Sequence, residues 1–170
     1  ELFKGHPCRG VVTGFNRAFI IDQSKRDELV AATPAAAEII KPLLVGEDVR
    51  RYSITPRGSY MIYTFHGVDI DHYPSVKRHL QQFRSYVDEK GKRVGLEHRA
   101  TQQEWFELQQ PQMAYREWFD RPKIMYPVIG LSARFGMDEP GHIMNDKAFF
   151  LPSADWFLLG VLNSKPVWSW

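Results

Sequence analysis

Four side chains that commonly bind divalent metals lie within the short stretch FHGVDIDHYP, residues 65–74. They are two imidazoles and two carboxylates, His66, Asp69, Asp71 and His72. Transition-metal sites are often built from ligands of these two kinds. The first question raised by the sequence is therefore whether the chain is a metal-dependent hydrolase or nuclease.

The backbone expected around this stretch separates the four side chains. If the stretch is a strand, its side chains alternate between two faces, so Asp69 and Asp71 point away from His66. A helix would bring them closer, but Gly67 and Pro74 both oppose helical backbone here. We therefore expect no metal, and we expect Asp71 to support the start of a helix near the proline. The metal-dependent hydrolase is kept as the alternative function.

The composition fits one folded domain. The chain has 170 residues, of which 44% are hydrophobic and 25% charged, and its net charge of +2 is too small to identify a partner. The single cysteine, Cys8, excludes an internal disulfide and favours a reducing, cytoplasmic setting. No apolar run is long enough to cross a bilayer, so we expect no membrane partner. Because the sequence starts at Glu1 and ends in an apolar helical pattern, we expect a fragment of a longer chain.

Short elements of both kinds follow one another without regular alternation, which favours a mixed α+β fold over a doubly wound sheet. Capping residues, prolines and apolar periodicity locate the helices, and β-branched or aromatic runs locate the strands. Two helices are predicted near the start of the chain, one over 25–32 with a capping box at Ser24 and one beginning at Pro34. A third is predicted from Pro74, with the apolar stripe Val76, Leu80, Phe83 and Val87. Two more are predicted after the capping box Thr101–Glu104 and over 155–163, the latter with Ser153 as its cap. Strands are predicted on both sides of a turn at Gly14–Asn16, in a hairpin around the TPRG turn at 55–58, in KIMYPVIG and in HIMNDKAFFLP.

Catalytic motifs are absent from the sequence. A methyltransferase needs a glycine-rich turn for its cofactor and an Asn/Asp-Pro-Pro-aromatic loop, and neither occurs. No phosphate-binding Gly-x-x-x-x-Gly-Lys loop occurs either. The acidic and basic run Asp88, Glu89 and Lys90 is interpreted as a solvated turn. The sequence therefore predicts no catalytic residue and no cofactor within these 170 residues.

Six stretches, taken together and in this order, are similar to one known family. They are GVVTGFNRAFIID, IIKPLLVGEDVRRY, YPSVKRHLQQF, WFELQQP, RPKIMYPVIG and FLLGVLNS. This set resembles the TaqI-like C-terminal specificity domain of type II restriction-modification enzymes. Those enzymes carry an adenine-N6 DNA methyltransferase, and some also carry a fused nuclease.

The resemblance implies that the domain recognises DNA and catalyses no reaction itself. A domain of this family holds duplex DNA against the methyltransferase domain and reads the target sequence, so residues 1–170 would form a single target-recognition domain. The methyltransferase domain, with S-adenosylmethionine as its cofactor, would lie upstream of Glu1. The resemblance also implies an α+β fold with a β-rich N-terminal part followed by a more helical C-terminal part. A protein-interaction domain with no role on DNA is the remaining alternative.

Duplex DNA requires cations for its phosphates and a few side chains that reach base edges. Arginines flank the predicted hairpin around the TPRG turn. The basic stretch from Lys90 to Arg99 is interrupted by glycines and is expected to be a flexible loop that orders on DNA. Gln102, which follows this stretch, could read adenine. Each of these side chains could instead be solvated or paired locally, and for Lys123 both outcomes stay open. Trp105, Trp118 and Trp156 are expected in the core. The DNA-binding candidates are Arg50, Arg51, Arg57, Lys90, Lys92, Arg93, Arg99, Gln102, Lys123, Arg134 and Asn145.

Overall fold

The computed structural model describes residues 6–99, 101–130 and 132–165. The apolar pattern at the end of the sequence continues into residues 166–170, which lie outside the described residues. Within the described part, no helix combines the length and the apolar character that a membrane span requires.

Helices and strands are both short. The α-helices are α1 (Asn16–Phe19), α2 (Gln23–Ala32), α3 (Pro74–Gln81) and α4 (Trp156–Leu162). The strands are β1 (Cys8–Arg9), β2 (Ile20–Asp22), β3 (Ile40–Leu44), β4 (Ser59–Ile62), β5 (Lys123–Pro127), β6 (Gly136–Asp138), β7 (Ile143–Met144) and β8 (Ala148–Leu151). Single turns of 3-10 helix cover Pro34–Glu38, Gly46–Asp48, Ile70–His72, Leu96–His98 and Met113–Trp118.

The chain divides into two compact units. One contains α1, α2, α3, β2 and β4 and is called the helix unit; it comprises Val12–Pro42 and Gly58–Pro111. The other contains α4, β1 and β5 to β8 and is called the strand unit; it comprises the described residues up to Val11, Leu43–Arg57 and the described residues from Gln112 onward.

The expected mixed α+β fold is confirmed, with two sheets and several helices. The distribution along the chain differs from the expected one. α1, α2 and α3 all precede residue 82, whereas α4 alone of the described α-helices follows it, so the helix-rich part comes first.

In the helix unit, helix starts are set by local side chains. The Asp22 carboxylate accepts a 2.8 Å hydrogen bond from the Lys25 N–H, so Asp22 rather than Ser24 caps α2. α3 begins at Pro74, a first-turn position at which proline costs no hydrogen bond.

The apolar stripe of α3 is confirmed over its first half. Val76 and Leu80 are fully buried, while Phe83 and Val87 lie beyond the end of the helix. The Ser75 hydroxyl donates a 2.8 Å hydrogen bond to the carbonyl of Leu29. This bond ties α3 to α2 within the helix unit.

Three other sequence predictions in the helix unit are wrong. β4 pairs antiparallel with β2 instead of forming the predicted hairpin around TPRG. Pro34–Glu38 is a 3-10 helix, and the side chain of Thr33 accepts the N–H of Ser75 instead of capping it. Residues 101–108 contain turns and no helix, and the buried Glu107 carboxylate accepts the N–H groups of Gly67 and Glu104.

In the strand unit, β1, β8, β5 and β6 form one antiparallel sheet in that order. The last residues of β3, Leu43 and Leu44, pair in parallel with Ile143 and Met144 of β7. The predicted strand in KIMYPVIG is confirmed as β5, and HIMNDKAFFLP forms two strands, β7 and β8.

α4 packs Leu159 against Ile124, Phe135 and Met137. Its N-cap is Asp155, whose carboxylate accepts the N–H groups of Phe157 and Leu158, rather than Ser153.

A buried ion pair joins β5 and β6. Lys123 stands directly opposite Asp138 in the ladder, and its ammonium lies 2.7 Å from the Asp138 carboxylate. Both side chains are almost fully buried, at 0% and 1% exposure. The ammonium also donates to the carbonyls of Phe119 at 2.9 Å and Arg121 at 3.2 Å, so all three of its donors are used.

The carboxylate of this pair is held by a second partner. The His142 ring nitrogen Nδ1 lies 2.6 Å from one Asp138 oxygen, and the His142 N–H donates to the other at 2.8 Å. Burial raises the pKa of Asp138, but these hydrogen bonds and the charge of Lys123 outweigh burial and hold the pKa below its ordinary value. Burial lowers the pKa of Lys123, opposed by the Asp138 charge.

The ion pair predicts a large asymmetry between single and double substitutions. In Asp138→Asn, the Lys123 ammonium stays buried without a counter-charge, and we expect the free energy of unfolding to fall by about 3–5 kcal/mol. In Lys123→Met with Asp138→Leu, no charge of the pair remains, and we expect part of the loss to be recovered. Urea unfolding followed by circular dichroism measures both.

The control is Glu117→Gln, which removes one carboxylate from the exposed pair with Arg121. It should leave the urea midpoint nearly unchanged. A similarly small effect for Asp138→Asn would contradict the assigned role of the buried pair.

Candidate functional site

The side chains of His66, Asp69, Asp71 and His72 do not come together as a set of metal ligands. His66 Nε2 lies 3.1 Å from the Leu108 carbonyl, and the Asp71 carboxylate lies 2.5 Å from the Lys77 ammonium. Asp69 caps the 3-10 turn by accepting the N–H of Asp71 at 3.1 Å. Over the described residues, no three His, Cys, Asp or Glu side chains are placed to share a metal ion.

The predicted helix-supporting role of Asp71 takes a different form. The carboxylate pairs with Lys77, on the second turn of α3, rather than capping the helix. α3 has no side-chain cap at Tyr73, and the His72 ring lies edge-on to the Tyr73 ring with centroids 5.1 Å apart. The whole stretch is therefore occupied by local structural contacts.

Arg99, a predicted DNA contact, lies at the centre of the loops of the helix unit. Its guanidinium donates to five backbone carbonyls, which matches its five N–H groups. The acceptors are Leu96 at 3.1 Å, Thr13 at 3.1 Å, Glu107 at 2.6 Å, Glu104 at 3.2 Å and Trp105 at 2.9 Å. Burial lowers the pKa of Arg99 to about 10, opposed by the charge of Glu107, so the side chain stays positively charged at neutral pH.

Two further DNA-binding candidates, Lys123 and Asn145, are buried inside the strand unit. For Lys123, the structure shows the local pairing alternative, because its ammonium is buried against Asp138 and two carbonyls. Asn145 is 5% exposed, and its side-chain oxygen accepts the N–H of Lys147 at 3.1 Å. Both side chains are buried and bonded inside the fold, so neither belongs to the candidate DNA-binding surface.

The three arginines near the TPRG turn are exposed but tethered. Arg57 pairs with the buried carboxylate of Asp48 at 2.7 Å and with Glu47 at 3.2 Å. Arg50 donates to the carbonyls of Glu47 and Val49. Arg51 donates at 2.7 Å to the carbonyl of Asn163, at the end of α4.

The basic stretch after α3 is a formed hairpin rather than the flexible loop that was predicted. Val87 and Arg93 make an antiparallel bridge, and the Asp88 N–H bonds to the Lys92 carbonyl at 2.9 Å. The Asp88 carboxylate accepts the N–H groups of Lys90 at 2.9 Å and Lys92 at 2.8 Å, and Gly91 adopts a left-handed φ of 77° in the turn.

The three cations of this hairpin, Lys90, Lys92 and Arg93, are called the hairpin cations. All are exposed, and none has an ion-pair or side-chain hydrogen-bond partner among residues 6–99, 101–130 and 132–165. Their backbone is fixed while their charges are free. Such a group can meet phosphates without first breaking internal bonds.

Gln102 and Arg134 complete the predicted set. Gln102 is exposed, in an irregular segment instead of the predicted first helical turn. Arg134 is partly exposed, and one of its nitrogens donates to the Ile129 carbonyl at 3.2 Å.

Two exposed features were missed by sequence reasoning. Tyr52 is 47% exposed with a left-handed φ of 68°, unusual for a residue other than glycine. Nothing in the sequence signals it, because the residue is neither Gly nor Asn. Trp156, expected in the core, is 58% exposed, and its neighbour Phe157 is 80% exposed. α4 buries Leu159 against Ile124, Phe135 and Met137, so its apolar run does not indicate burial for every member.

Comparisons with known proteins give one family match and a likeness in fold. The family model described as the TaqI-like C-terminal specificity domain matches residues 41–170. No curated protein matches this chain. A solved structure, described as the type IIL restriction-modification enzyme MmeI in complex with DNA, is similar with a TM-score of 0.58 and 17% sequence identity.

The match to MmeI covers 93% of this chain and 20% of that one, so this chain spans about one fifth of the length of the solved enzyme. At 17% identity, the likeness shows that the fold is shared.

Arg99 yields a prediction that separates a structural role from a DNA-contacting one. Arg99→Lys keeps the charge but offers three donors to five carbonyls, leaving at least two without their partner. We expect a loss of about 2 kcal/mol or more in the free energy of unfolding. The matched control is Arg93→Lys, whose side chain has no partner among the described residues, and it should leave stability unchanged. Equal thermal midpoints for both variants would contradict the role given to Arg99.

Proposed function

The chain belongs to the family of TaqI-like C-terminal specificity domains, and we propose that it recognises a specific sequence of duplex DNA within a type II restriction-modification enzyme. The observation that carries the proposal is the family match over residues 41–170. The fold shared with an enzyme that was solved in complex with DNA supports it.

In this proposal, the chemistry belongs to parts of the enzyme outside these 170 residues. The recognition module positions DNA for adenine-N6 methylation by a methyltransferase domain of the same chain, which uses S-adenosylmethionine, and for cleavage where a nuclease is fused to it. The module itself contributes binding and base reading, and it acts in the cytoplasm. The alternative of a metal-dependent hydrolase has less support, because residues 6–99, 101–130 and 132–165 contain no cluster of three His, Cys, Asp or Glu side chains placed to share a metal ion.

We infer that the hairpin cations contact the DNA backbone. They carry three free positive charges on a backbone that Asp88 holds in place. Phosphate contacts by such residues supply affinity and register but no sequence information. Arg50, Arg57 and Gln102 are the exposed candidates for base edges, since arginine can bond guanine and glutamine can bond adenine with two hydrogen bonds.

Salt dependence tests the hairpin cations directly. Each phosphate contact releases counterions, so the slope of log affinity against log salt is about −0.9 per contact on duplex DNA. We expect the triple variant Lys90→Ala, Lys92→Ala and Arg93→Ala to bind duplex DNA more weakly, with a slope less steep by up to about 2.7. Fluorescence anisotropy at several salt concentrations measures both quantities.

A matched control removes three cations of the same unit that are already paired. These are Lys25, Arg26 and Lys77, which bond to Glu28, Asp27 and Asp71. The control variant has the same net charge as the hairpin variant and should keep the wild-type slope. Equal losses in the two variants would show a general charge effect and contradict the hairpin assignment. Absence of duplex binding by the wild type, even when joined to its methyltransferase domain, would overturn the proposed function.

A further inference from the structure

A basic cavity of about 420 Å³ lies in the strand unit, at the end of α4. Three cations line it, one from each of three separate chain segments: Arg51, Arg134 and Lys165. Ser132 adds a hydroxyl group, whereas the Ser164 hydroxyl already donates to the Val161 carbonyl at 2.6 Å. No acidic residue is among the described residues that line the cavity. The cavity therefore combines positive charge with hydrogen-bond donors, which is the chemistry that a phosphate group requires.

Asn163 holds the three segments in place. Its side chain is 1% exposed, accepts the Phe135 N–H at 3.1 Å, and donates to the Phe135 carbonyl at 2.9 Å. Its own carbonyl accepts Arg51 at 2.7 Å. The side-chain amide of Asn163 thus connects the end of α4 to the chain just after Arg134, and its backbone carbonyl connects it to Arg51. The Arg-Tyr end of the stretch IIKPLLVGEDVRRY and the Leu-Asn-Ser end of the stretch FLLGVLNS therefore lie next to each other.

The turn carrying Arg51 is held against the same chain segment. Val49 and Ile54 form an antiparallel bridge, and the Tyr52 N–H donates to the Phe135 carbonyl at 2.8 Å. A side chain at Gly136 would come within 2.8 Å of the Ser53 carbonyl, so the close approach requires glycine there. The left-handed backbone of Tyr52 is maintained by these contacts, and strain maintained in this way is commonly found at binding sites.

The cations of the cavity retain unused donors. Arg51 uses one nitrogen on Asn163, and Arg134 uses one on Ile129. Their other N–H groups have no acceptor within the described ranges, and Lys165 is exposed without a partner there. Guanidinium groups anchored at one nitrogen are oriented by that bond and still offer further donors to a ligand.

We propose that this cavity binds a phosphate of the DNA backbone, with Arg51, Arg134 and Lys165 as its cationic contacts. The inference rests on the proposed function, because it assigns one contact of the same recognition module. Asn163 is a positioning residue that fixes the three segments. Because phosphate is common to all DNA, the cavity supplies affinity and register for any sequence, and base reading lies elsewhere.

The experiment compares the 170-residue chain with a variant that keeps Arg51, which bonds to Asn163. Arg134→Ala with Lys165→Ala should weaken binding to every duplex sequence alike, and the salt slope should become less steep by up to about 1.8. The charge-retaining variant Arg134→Lys with Lys165→Arg should keep most of the slope. The control Arg121→Ala with Lys147→Ala removes two exposed cations of the same unit from outside the cavity and should leave the slope unchanged.

Amide resonances locate the contact independently. In an isotopically labelled chain titrated with a short duplex, the N–H groups of Arg51, Arg134 and Ser164 should shift, and the alanine variant should lose these shifts. Shifts that appear elsewhere but not here, or equal slope losses in variant and control, would overturn the cavity assignment and leave the recognition function standing. No shifts anywhere, with no DNA binding by anisotropy even when the chain is joined to its methyltransferase domain, would overturn both.

Discussion

Burial of positive charge is the constraint on which both units depend. An ammonium or guanidinium removed from water is stable only when acceptors surround it. Lys123 satisfies this requirement with Asp138 and two carbonyls, between β5 and β6. Arg99 satisfies it with five carbonyls, from loops that contain little regular secondary structure. In each unit a buried cation therefore bonds chain segments to one another, Lys123 beside the β5–β6 ladder and Arg99 among loops.

The same constraint sorts the basic residues by function. A cation whose donors are used inside the fold cannot bind phosphate without breaking bonds that stabilise the unit. Arg99 and Lys123 belong to this class, whereas the hairpin cations and those of the cavity keep donors for a ligand. A net charge of +2 therefore understates the positive charge that is available locally, because binding depends on where unpaired cations are held.

Sequence reasoning succeeded where one local signal decides the structure. The apolar run of β5, the start of α3 at Pro74 and the mixed fold class were predicted correctly, since burial of a strand and the geometry of proline act over a few residues. The TPRG hairpin failed because β4 pairs with β2, and no local signal chooses between strand partners. Arg99 and Lys123 look like any other cation in the sequence. Their burial depends on carbonyls and carboxylates that come from other segments, so composition and spacing do not reveal it.

The hairpin cations and the cations of the cavity are held in position by neighbouring side chains that have a purely structural role. Asp88 closes the hairpin by accepting two backbone N–H groups, and Asn163 connects three segments around the cavity. The side chains of both residues bond to backbone groups, which fixes the chain direction without using the side chain of a cation. Holding the display rigid before binding reduces the conformational entropy that binding must overcome. Short polar side chains beside clustered cations therefore matter to phosphate binding as much as the cations themselves, because they decide which positive charges reach a phosphate in a fixed geometry.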